Sequence, residues 1–137
     1  MAEKDLFSLL ARLRNEPDER EWLEFKDSFY DPQTIGEYLS ALANGACLAG
    51  ESRGYLVFGI EDKKHNAVGT NFRIHRKDLD SLKGEIAKKT TNGISFMEIF
   101  ETTKSNERVV MFQIPAAPKG IPIAFDGHYY ARDGEEL

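Results

Sequence analysis

Three carboxylates and one lysine are the residues best placed to do chemistry: Glu19, Glu24 and Asp62, with Lys26 beside them. Carboxylates gathered at one point bind divalent cations, because a hard cation takes several oxygens and each carboxylate offsets part of its charge. A magnesium or manganese ion held that way can activate water against a phosphodiester and stabilise the leaving oxygen. Lys26 stands two residues from Glu24, on the same face of an extended strand, where an ammonium can hold a phosphate or a developing negative charge. Geometry sets a condition. Five residues of extended chain would carry Glu19 roughly 16 Å from Glu24, so the backbone must turn back before Trp22 if both are to reach one ion. The plainer alternative is that these acidic side chains are solvated, as most are.

A second group is basic. Between positions 63 and 89, Lys63, Lys64, Arg73, Arg76, Lys77, Lys83, Lys88 and Lys89 meet only Asp78, Asp80 and Glu85, whereas the stretch from Glu16 to Asp27 is acidic. Lys63, Lys64, Arg73, Arg76 and Lys77 are candidate phosphate contacts, and Arg132 is a further one near the C-terminal end. An acidic end and a basic middle suit a carboxylate site beside a phosphate track, and suit solvated helix faces equally well. The net charge of −5 argues against a domain that depends on bulk attraction to phosphate. Tyr55, Tyr129 and Tyr130 are candidates for stacking on bases, or half-buried strand residues.

Other chemistries find no support. His65, His75 and His128 show no ligand spacing with Cys47, so a zinc site is not expected. No glycine-rich loop ends in Lys-Ser or Lys-Thr, so the segment is not itself a P-loop nucleotide hydrolase. Cys47 lies on the small-residue face of a helix, with no base near in sequence to activate it, and reads as packing. A single cysteine fits a reducing compartment, and the cytoplasm is the expected location. No apolar run approaches the length of a membrane span.

The elements that must position these residues are legible in outline. With 137 residues and 41% apolar side chains, one domain with a core of its own is expected. Leu6, Leu9, Leu10 and Leu13 at helical spacing predict a helix over 4–14, ended by Pro17. Residues 22–26 alternate as a strand, with Leu23 and Phe25 on one face and Trp22, Glu24 and Lys26 on the other. Asp31-Pro32 starts a helix whose buried side carries Ile35, Leu39, Leu42 and Ala46 and which ends near Gly50. Residues 54–60 are a continuous apolar run, the mark of a strand covered on both faces. A further helix spans about 76–89, strands cover 94–103 and 109–114, and Asp126-Gly127 turns a hairpin between 122–125 and 128–132. The fold class is α+β: a mixed β-sheet packed with about three helices. The last strand runs into residues 133–137 with no cap, so the chain is expected to continue into a longer protein.

The stretch Glu19-Arg20-Glu21-Trp22-Leu23-Glu24-Phe25-Lys26 resembles the opening motif of the Schlafen AlbA-like domain, a Glu followed by Glu-Phe-Lys. The resemblance continues through Leu42-Ala43-Asn44, the run from Gly54 to Asp62, Val68-Gly69-Thr70, Pro122 and finally Tyr130-Ala131-Arg132-Asp133-Gly134, in the family's order. In the family's animal members two Glu and one Asp form a metal-dependent RNA-cleaving site, and Glu19, Glu24 and Asp62 fall at the matching places. Those nucleases pair two such modules into a clamp; one is present here. In bacterial members the domain is described as DNA-binding. There it precedes an ATPase-like or winged-helix region in transcriptional regulators and RecG-like helicase relatives. Three functions therefore remain in view. The first is a nucleic-acid-binding domain, DNA before RNA, whose parent protein binds ATP through a region beyond this one. The second is a nuclease using Glu19, Glu24, Asp62 and Lys26 with magnesium or manganese. The third is a structural module that forms a homodimer.

Overall fold

The computed structural model describes residues 3–15, 22–26, 32–61, 66–70, 76–88, 98–117, 124–125 and 128–129. Helix α1 (Glu3–Arg14) is followed by strand β1 (Leu23–Lys26), helix α2 (Pro32–Ala49) and strand β2 (Arg53–Phe58). Helix α3 (Arg76–Ala87), strands β3 (Glu98–Lys104) and β4 (Glu107–Pro115), and the short strands β5 (Ala124–Phe125) and β6 (His128–Tyr129) complete the order. The expected mixed sheet is present. It has four strands in the order β1-β2-β4-β3, with β1 parallel to β2 and the other pairs antiparallel. β5 and β6 form a separate two-stranded ladder, and the residues of their turn lie outside the described ones.

Alternation along the strands divides the core into two layers. On one face Leu23, Phe25, Tyr55, Val57, Val109 and Met111 pack beneath Leu6, Leu10 and Leu13 of α1. On the other, Leu56, Phe58, Val110, Phe112, Ile114 and Ile99 pack beneath Ile35, Leu39 and Leu42 of α2 and Leu79, Leu82 and Ile86 of α3. β2 is internal and covered on both sides, which explains its unbroken apolar run. Gly54 lets α2 come down onto it: a Cβ there would stand 2.9 Å from the Leu42 carbonyl oxygen.

Two details depart from the sequence expectations. Trp22 packs on the α1 side, edge-on to Tyr55, because the strand begins only at Leu23 and its alternation does not extend back to Trp22. The hairpin between β3 and β4 is tighter than expected. Its loop is Ser105-Asn106, both with positive φ (54° and 66°), so the strands run on to Lys104 and from Glu107. The described part of β3 starts at Glu98, and positions 94–97 lie outside the described residues.

Candidate functional site

β1 and β2 run parallel, so their carboxyl ends lie side by side. Gly59 N–H donates to the Lys26 carbonyl at 2.8 Å, joining the two ends directly. Beyond β2 the chain doubles back. Glu61 N–H donates to the Asn66 carbonyl, Ile60 bridges Ala67, and Val68 and Gly69 both donate to the Gly59 carbonyl. Gly59 (φ +98°) sits where only glycine fits, since a Cβ would fall 2.6 Å from the Arg108 carbonyl oxygen. The backbone thus gathers, at one end of the sheet, the end of β1 with Glu24 and Lys26 and the segment leaving β2 toward Asp62.

Glu24 is not a solvated surface acid. It is 1% exposed, on the α2 face of the sheet, opposite Leu56 in the parallel register. Its Oε1 takes the Lys26 ammonium at 2.9 Å. Tyr38 of α2 completes the cluster: its ring centroid lies 5.0 Å from Lys26 Nζ, and the two side chains are hydrogen-bonded. Burial by itself would lower the Lys26 pKa, but the hydrogen bonds and charge interactions with Glu24 and Tyr38 outweigh it and raise the pKa above the ordinary lysine value. Lys26 is therefore a fixed cation at neutral pH. Its pairing with Glu24 follows from the period-two spacing. Tyr38 was missed in the sequence, where it stands inside the apolar stripe of Ile35 and Leu39 as one more half-buried aromatic.

Glu19, Asp62, Lys63, Lys64, Arg73 and Arg132 lie outside the described residues, as do His65, His75 and Tyr130. Among the described residues no three His, Cys, Asp or Glu side chains come together as metal ligands. Glu24 suits a divalent cation by chemistry, as any carboxylate does, and the cation it meets in the described structure is Lys26. Arg76 is bound into the fold. Its guanidinium donates to the Ile99 carbonyl at 2.6 Å and pairs with Asp80 at 3.1 Å, fastening the start of α3 to β3. Lys77 is exposed, and among the described residues no carboxylate pairs with it. Tyr55 cannot serve as a stacking platform: it is 5% exposed, beneath α1, with its hydroxyl accepting from Gln113. Burial on a covered internal strand overrides its aromatic character. Cys47 packs against the α2 core layer, as expected.

A further polar network was not anticipated. Arg108 forks onto Glu101 through Nε and one terminal nitrogen, at 3.1 and 3.0 Å, and its other nitrogen reaches the Thr70 carbonyl. Thr70 N–H in turn donates to the Arg108 carbonyl. This pins the Val68-Gly69-Thr70 segment to the β3–β4 hairpin.

The family model for Schlafen, AlbA_2 matches residues 19–137. The chain belongs to the Schlafen AlbA_2 family. Two solved structures share the fold of this Schlafen AlbA_2 chain. The crystal structure of the DIP2311 protein from Corynebacterium diphtheriae superposes with a TM-score of 0.62 at 19% identity, over 96% of this chain and 26% of that one. The solution structure of the N-terminal domain of a RecG-related helicase protein from Nitrosomonas europaea gives 0.52 at 23% identity, over 93% of this chain and 87% of that domain. The chain thus spans about a quarter of the Corynebacterium protein. No protein of curated function matches the sequence. Helix α1 precedes the part that the family model matches, yet its leucines pack into the core on one face of the sheet. No described helix is long and apolar enough to cross a membrane.

Proposed function

We propose that this Schlafen AlbA_2 domain binds nucleic acid, DNA ahead of RNA, as one part of a larger cytoplasmic regulator or RecG-like helicase-related protein. ATP would be handled by another region of that protein. Family membership across residues 19–137 carries this reading. The surface of α3 supports it, since Lys77 and Lys88 face solvent, and the sequence adds Lys63, Lys64 and Arg73 shortly before that helix. The test is a panel of single- and double-stranded DNA, tRNA and rRNA fragments, titrated with and without manganese. Binding without metal, weakening as salt rises, is the expected result. A stable dimer with affinity for none of the panel would instead make this a structural module.

One observation favours a second reading, a metal-dependent nuclease. Glu24 and Lys26 are sequestered at the carboxyl end of β1, beside the segment leading to Asp62, where a carboxylate site for phosphodiester chemistry would need them. In that reading Glu19, Glu24 and Asp62 hold magnesium or manganese, the metal supplies an activated water, and Lys26 keeps a positive charge beside the phosphate. Cleavage that appears with manganese, stops with chelator and is lost in Asp62→Asn while binding survives would establish it. Intact substrate under all these conditions would leave the binding reading alone.

A further inference from the structure

α1 presents a stripe at helical spacing, Phe7, Leu10, Ala11 and Arg14, to the tip of the β3–β4 hairpin. Leu10 is buried and anchors the stripe to the sheet, whereas Phe7 is 44% exposed. Between the stripe and Thr103, Lys104 and Ser105 runs a groove of about 210 Å³. Its apolar wall is Phe7, and its cations are Arg14, in the last turn of α1, and Lys104, the last residue of β3. Glu107, the register partner of Lys104 across the turn, lines a separate recess together with Arg108 and the Val68-Gly69-Thr70 segment. Among the described residues that line the Phe7 groove, Arg14 and Lys104 are the charged ones, and none is a carboxylate.

An exposed aromatic ring beside two basic side chains matches the repeat of a single nucleic-acid strand, a flat base joined to an anionic phosphate. A duplex does not suit it, because its bases are stacked on each other and offer no free face to a side chain. We propose that this groove is a contact for single-stranded nucleic acid, with a base on Phe7 and its phosphate between Arg14 and Lys104. The proposal rests on the nucleic-acid reading above and places one contact surface outside the family-matched residues, on α1.

The probe is a fluorescein-labelled twelve-residue oligothymidylate, followed by anisotropy with the full chain across a salt series. Phe7→Ala is expected to weaken binding on the order of tenfold with an unchanged salt slope, as loss of a stacking platform does. Lys104→Ala is expected to weaken it several-fold and to reduce the slope by about 0.7, one phosphate contact on a single strand. Leu48→Ala, at an exposed apolar position on α2, should bind as the wild type does. Should Phe7→Ala lower the melting temperature, Lys104→Ala decides the matter, because Lys104 is exposed at the hairpin tip. Wild-type binding that persists in both variants would overturn the groove and leave the nucleic-acid reading standing. No binding by the wild type would overturn both. A dimer that dissociates in Phe7→Ala, with affinity unchanged, would assign the groove to a second copy of the chain and overturn the proposal.

Discussion

Burying a carboxylate as deeply as Glu24 is costly unless a cation stands against it, and Lys26 at 2.9 Å is that cation. Glu24→Gln is expected to cost about 3–5 kcal/mol, the range for breaking such a pair, measured by urea unfolding. The pH dependence of that loss has a definite sign. Lys26 holds its proton more tightly in the folded chain than in the unfolded one. Its contribution is therefore complete below the unfolded lysine value of about 10.4 and falls away as the pH rises through the folded value. The stability gap between wild type and Glu24→Gln should hold steady near neutrality and shrink above about pH 10. A gap that stayed constant through the alkaline range would show that Lys26 is not titrating against Glu24. The shared face of Glu24 and Lys26 was legible from a spacing of two. Their burial was not, because nothing within residues 22–26 shows that α2 lies over that face. Tyr38 was invisible for the same reason, since its partner is 12 residues away on another element.

At the scale of elements, strand β2 was the most legible, because an apolar run without a polar face has no other place than the middle of a covered sheet. Phe58→Ala, which opens a cavity against Phe112 and α2, should cost about 3–5 kcal/mol. A melting temperature barely shifted in that variant would contradict the packing described. Gly59→Ala should destabilise by at least about 1–3 kcal/mol, from its positive φ and the nearness of the Arg108 carbonyl. The β3–β4 turn was the least legible. Serine and asparagine both take the left-handed conformation there with no glycine to signal it, so strands that continue to Lys104 and from Glu107 looked like loop. α3 separates two lysine-and-arginine roles that look alike in sequence. Arg76→Ala should lower stability by about 1–3 kcal/mol through its lost bonds to Ile99 and Asp80. Lys77→Ala should leave stability within about 0.5 kcal/mol of wild type and act, if anywhere, on binding. Equal melting temperatures for the two variants would refute that division.

The whole molecule is a twisted layer with α1 on one side and α2 and α3 on the other, and its family was legible because ordered motifs survive where single residues are uninformative. In the proposed reading, contacts to nucleic acid would be made locally rather than by net charge, which is −5. Manganese separates the two leading readings at this scale. If Glu19, Glu24 and Asp62 hold it, the metal should raise the melting temperature in step with its concentration, and Asp62→Asn should remove most of that rise. A melting temperature indifferent to manganese in both proteins would leave a binding domain. The central claim, that the domain binds nucleic acid, is tested most directly by anisotropy titration of labelled single- and double-stranded DNA and RNA over a salt series, in chelator. The account predicts saturable binding in the absence of metal, with log affinity falling linearly against log salt. No binding to any of these probes at about 50 mM salt, where phosphate contacts are strong, would contradict it.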